Sequence, residues 1–69
     1  MAKTTTDIIT IVSAGGGVII SETKTTTDLI AIAAAAKKSG AKVFIKYTKT
    51  TTDMISIARA GGGNVTFEL

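Results

Sequence analysis

Apolar positions recur along this chain in one pattern, stated three times. Each statement opens with the same five residues, KTTTD, at 3–7, 24–28 and 49–53. Behind the first lie Ile8, Ile9, Ile11 and Val12; behind the second, Leu29, Ile30, Ile32 and Ala33; behind the third, Met54, Ile55, Ile57 and Ala58. Spacings of one, three and four residues put such a set on one face of an α-helix. The intervening positions (Thr10 and Ser13, Ala31 and Ala34, Ser56 and Arg59) are small or polar. Taken alone, DIITIVS holds enough β-branched residues to read as a strand. Its alanine-rich counterpart DLIAIAAAAKKSG reads as a helix, and the alignment carries that reading to all three copies.

Glycine follows each helical stretch, at Gly15–Gly17, Gly40 and Gly61–Gly63. Glycine accepts the left-handed conformation just past a helix C-terminus, and Lys37, Lys38 and Arg59 suit the negative end of the helix dipole. The GGG runs follow helices and precede strands, the reverse of a phosphate-binding loop. Short strands come next: VIIS, KVFIKY and VTFEL. Val43, Ile45 and Tyr47 alternate with Lys42, Phe44 and Lys46, and Val65, Phe67 and Leu69 alternate with Asn64, Thr66 and Glu68. Such alternation marks strands with one buried and one wetter face.

The 69 residues therefore read as a single α/β domain, 1–69, made of three αβ units at 3–23, 24–48 and 49–69. A strand–helix–strand unit closes into a parallel pair with a right-handed crossover. The simplest product is a three-stranded parallel sheet in order 1-2-3, packed against three helices on one face. Order 2-1-3, with helices on both faces, competes because it explains why the first strand is apolar on both sides. The second unit is longer by four residues, about one helical turn, which extends a helix without rotating its buried face. In period and element order the units resemble α/β repeats of leucine-rich-repeat length, without the leucine-rich consensus. Identical spelling of the motif fits either duplication of an ancestral unit or deliberate design of a repetitive chain.

Composition narrows the chemistry. The chain has no Cys and no His, which removes disulfides, thiolate metal sites and the commonest general base. No Ser has a His to activate it. Asp7, Asp28 and Asp53 occupy equivalent positions in different units, so they are spaced apart rather than gathered on a cation. Neither an enzyme, a cofactor nor a metal site is expected. The net charge of +3 permits an anionic partner without demanding one. No apolar run approaches the roughly 18 residues of a membrane span, and no signal peptide is legible, so a cytoplasmic protein is expected.

Two surfaces remain as candidates. The KTTTD stretches place Thr4, Thr25 and Thr50 three residues before an acid, the spacing of a helix-capping box. In a parallel α/β sheet these helix starts share the edge where ligands bind. Lys3, Thr4 and Thr5, Lys24, Thr25 and Thr26, and Lys49, Thr50 and Thr51 would then offer hydroxyls, amides and ammonium groups to a phosphate or a nucleic-acid backbone. The second surface is the uncovered sheet face that order 1-2-3 implies. It carries Ile19, Phe44 and Thr66 in one row, with Ser21, Lys46 and Glu68 in the next. A protein partner or a second copy of the chain fits this face better than single-stranded RNA, which prefers two or three stacking aromatics. The expectation is a small, non-catalytic interaction module that associates with itself, with anion binding at the KTTTD edge as the alternative.

Overall fold

Each KTTTD stretch starts a helix in the same way in the computed structural model, which describes residues 4–46 and 49–69. Helix α1 spans Thr5–Ser13, α2 Thr26–Ser39 and α3 Thr51–Gly61. The strands are β1 Val18–Ile20, β2 Val43–Ile45 and β3 Val65–Phe67. They form one parallel sheet in the order β1-β2-β3, so the chain advances by one neighbour per unit. The 2-1-3 alternative is thereby replaced, and the apolar outer side of β1 is left in solvent. The strands are shorter than their sequence stretches suggest. Two further ladder bonds extend each pair: between β1 and β2, Val18 N–H donates to the Lys42 carbonyl and Lys46 N–H to the Ile20 carbonyl, and between β2 and β3, Val43 N–H donates to the Asn64 carbonyl and Glu68 N–H to the Ile45 carbonyl. Tyr47, expected on the inner face, lies outside the described residues.

Length differences between units fall in the helices. Helix α2 has 14 residues against 9 in α1 and 11 in α3. It stops at Gly40, whose φ of 81° places it in the left-handed region that a side chain would strain. Helix α3 stops the same way at Gly62, with φ of 56°. Helix α1 instead ends on Ala14 in right-handed geometry, and the left-handed residue is the next one, Gly15. Gly61 serves a different end. A Cβ there would sit 2.3 Å from Val65 Cγ2, so glycine lets the end of α3 lie this close to its own strand, and 3.5 Å from Ala33 Cβ of α2, an ordinary contact distance.

The core lies between the helix layer and the inner side of the sheet. Leu29, Ile32, Ala33 and Ala36 of α2 meet Val12 of α1, Ile57 of α3, and Ile20, Val43 and Ile45 of the sheet. Successive units are also tied by polar bonds. The Ser39 hydroxyl donates to the Val12 carbonyl at 2.6 Å, and the Asn64 amide donates to the Ala36 carbonyl at 3.1 Å.

The four apolar positions of each unit do not form one uniformly buried face. In α2, Leu29, Ile32 and Ala33 are buried and Ile30 half-buried. In α1, Ile11 is 41% exposed, although its equivalents Ile32 and Ile57 are both at 0%. In α3, Ile55 is 46% exposed and Ala58 is exposed too, although Val12 and Ala33 are buried. The stripe is wide enough to touch a helix on either side and the sheet beneath. Helices α1 and α3 are each flanked by a helix of the described residues on one side only.

This asymmetry predicts unequal mutational costs. Ile32→Ala, in a fully enclosed site, should lose about 2–5 kcal/mol. Ile11→Ala, the same change at the equivalent position of α1, should lose about 1 kcal/mol, since much of its surface is already wet. Urea melts at low protein concentration measure both, and equal losses would refute the unequal burial of these two positions.

Two candidate surfaces: the helix-start edge and the bare sheet face

The edge where the helices begin is built by capping. Thr4, Thr25 and Thr50 hold extended backbone geometry just before each helix. Their hydroxyl oxygens accept from the backbone N–H of Asp7, Asp28 and Asp53 at 3.1, 3.1 and 3.2 Å. The first threonine of every motif is thus turned inward, satisfying an amide that would otherwise lack a helical partner. The aspartate supplies a negative charge in the first turn of the same helix, where the dipole favours it. The third threonine contributes its carbonyl. Thr6 accepts from the Thr10 hydroxyl at 2.9 Å and Thr52 from the Ser56 hydroxyl at 3.3 Å.

Thr5, Thr26 and Thr51 open the three helices, and Lys24 and Lys49, both half-buried, precede the caps in the strand-to-helix connections. Lys3 lies outside the described residues. In the parallel order β1-β2-β3 the described helix starts lie at one edge of the sheet. The same edge also carries the three aspartates, which compete with any anion for the positive helix ends. Among the described residues no group of three or more His, Cys, Asp or Glu side chains is placed to hold a metal ion.

The second surface is the outer side of the sheet. The register aligns Ile19 with Phe44 and Phe44 with Thr66. Ile19 is 65% exposed, Phe44 is half-buried and Thr66 is exposed. Their chain neighbours Ile20, Val43 and Ile45 point the other way and are buried. Lys46, Ser21 and Glu68, one row on, are exposed. One row back, the Lys42 ammonium donates to the Asn64 side-chain oxygen at 3.1 Å. Asn64 therefore joins the sheet surface to the end of α2, since its amide nitrogen binds the Ala36 carbonyl. In the sequence Asn64 registers only as a polar position in an alternating strand, and a single letter carries no sign of a contact 28 residues away.

No known protein family matches the chain, nor does any curated protein or solved structure. Among the described residues no helix is long and apolar enough to cross a membrane.

Removing a cap should show in stability. Thr25→Ala should cost about 1 kcal/mol, seen as a fall of roughly 4–8 °C in Tm. Exposed Thr27, changed to Ala, should stay within about 0.5 kcal/mol of the parent. The anion reading predicts salt-dependent binding of inorganic phosphate or a nucleic-acid backbone that is lost when Lys3, Lys24 and Lys49 become Gln. Binding unchanged by that triple substitution would remove it.

Proposed function

We propose that the protein is a small, non-catalytic interaction module that pairs with a second copy of itself through the bare face of its sheet. The observation carrying this reading is the side-by-side placement of Ile19, 65% exposed, and Phe44 on a sheet face that no helix of the described residues covers. Parallel sheets are stable when both faces are covered, because strands of this kind are apolar on both sides. Here β1 is Val-Ile-Ile, and one side of it faces solvent. Stacking two such faces would bury Ile19 and Phe44 at the centre, with Lys46, Ser21 and Glu68 at the polar rim, the arrangement typical of protein interfaces. A pairing of like faces is isologous and stops at two copies.

Light scattering across a wide concentration range, at low and high salt, tests this. Association through this face that persists in salt is expected, because the central contact is apolar. The double variant Ile19→Thr/Phe44→Thr should shift the monomer–dimer midpoint at least 10-fold to higher concentration while keeping its helical circular dichroism. A parent chain that remains monomeric throughout would refute the proposal.

A further inference from the structure

The two ends of the repeat stack differ from the sheet face, and from each other, in a way the internal repeat makes interpretable. Positions equivalent to Ile11 are Ile32 and Ile57, both fully buried, each on a helix that has another helix before it. Positions equivalent to Ala58 are Val12 and Ala33, also buried, each on a helix that has another helix after it. The contact between Gly61 of α3 and Ala33 of α2 confirms that Ala33 looks toward the following unit. Ile11 thus belongs to the side of a unit that packs on the unit before it, and Ala58 to the side that packs on the unit after it. Both are exposed here, Ile11 at 41%, with Ile55 beside Ala58 at 46%.

Each of these sides forms a shallow groove, mostly apolar at the last end and mixed at the first, where Ser21, Glu22 and Lys24 border the isoleucines. At the first, Ile11 lies with Val18 and Ile19 along the outer edge of β1. At the last, Ile55 and Ala58 lie with Met54 and Leu69. The strand order leaves β1 and β3 as the sheet edges, whose outward backbone groups are templates for a further strand. The outer sides of the first and third units carry the same residue pattern as the sides that meet inside the chain.

We propose that copies of the chain join head to tail, the α3–β3 end of one against the α1–β1 end of the next, through the packing that already joins α1 to α2 and α2 to α3. Ala58 of one copy then meets Ile11 of the next, as Val12 meets the Ile32 side of α2 and Ala33 the Ile57 side of α3. Strand β3 pairs with the neighbour's β1, continuing the parallel sheet. The occupant is a second copy because the groove at each end is the complement of the other, continuing an interface that the chain makes twice within itself. The contact is heterologous, so copies grow into a ring or an open file rather than stopping at two. This proposal shares with the sheet-face reading the identity of the partner and one bordering residue, Ile19.

The two are separated by working in the Phe44→Thr chain, which removes the aromatic of the sheet face at a position on the central strand. Sedimentation velocity on that chain should still show mass rising with concentration. Ile11→Asp blocks one end and Ile55→Asp the other. Each alone should give a monomer, and an equimolar mixture should give a 1:1 dimer that grows no further, because only one productive pair of ends remains. Circular dichroism of each variant checks folding, and Ala58→Asp serves as a second block of the same end as Ile55→Asp. A monomeric Phe44→Thr chain would overturn the head-to-tail proposal while leaving sheet stacking intact. Failure of the mixture to form a dimer, with both variants folded, would overturn it as well. A parent chain that is itself monomeric would overturn both.

Discussion

Everything in this molecule leans on one buried stripe of α2. Leu29, Ile32, Ala33 and Ala36 are each at 1% exposure or less, and the stripe meets helices on both sides and the sheet below. A domain of this size buries only about 60% of the surface its unfolded chain exposes, so its stability margin is narrow. The central unit is the one place where every apolar position has a neighbour to face. Its small residues set the geometry. Ala33 and Ala36, with Gly61 opposite, allow helices and strands to approach closely where larger side chains would hold them apart. The outer units are stable in proportion to how well they dock on this one.

The motif that stands out most in the sequence turns out to do local work. Each KTTTD opens a helix with the same inward-turned hydroxyl and the same first-turn acid, so its recurrence marks three equivalent starts. What differs from unit to unit is the surroundings. Identical stretches of sequence occupy an enclosed position in the middle and half-open positions at the two ends. The functional candidates are therefore found where equivalent residues have unequal environments, at Ile11 and Ile55, and on the outer side of β1 and β2.

Much of the fold was legible because three copies could be read against one another. DIITIVS alone favours a strand by its β-branched content, and only the alanine-rich second copy identifies it as a helix. The parallel sheet and its order follow from short strand–helix–strand steps. The row of Ile19, Phe44 and Thr66 was legible from period-two alternation once the order was taken as 1-2-3. The exposure of Ile11 and Ile55 was not, because periodicity shows which residues share a face of a helix but not how many neighbours cover it. The inter-unit bonds of Ser39 and Asn64 were hidden for a related reason. They join residues 27 and 28 positions apart, and no local pattern encodes them.

Those bonds and the longer α2 bear on a hazard peculiar to repetitive chains. Three near-identical units could in principle dock in the wrong sequence, since the stripe of one helix resembles that of another, and misassembly of like parts is a characteristic failure of repeat proteins. The extra length of α2 carries Ser39 to the carbonyl of Val12, and Asn64 reaches the last turn of α2 through the Ala36 carbonyl. Each donor side chain stands in one unit only, while its acceptor is a backbone carbonyl of the kind every helix end offers. The small departures from perfect repetition thus mark the second and third units as ones that dock behind another, and leave the first without such a tie.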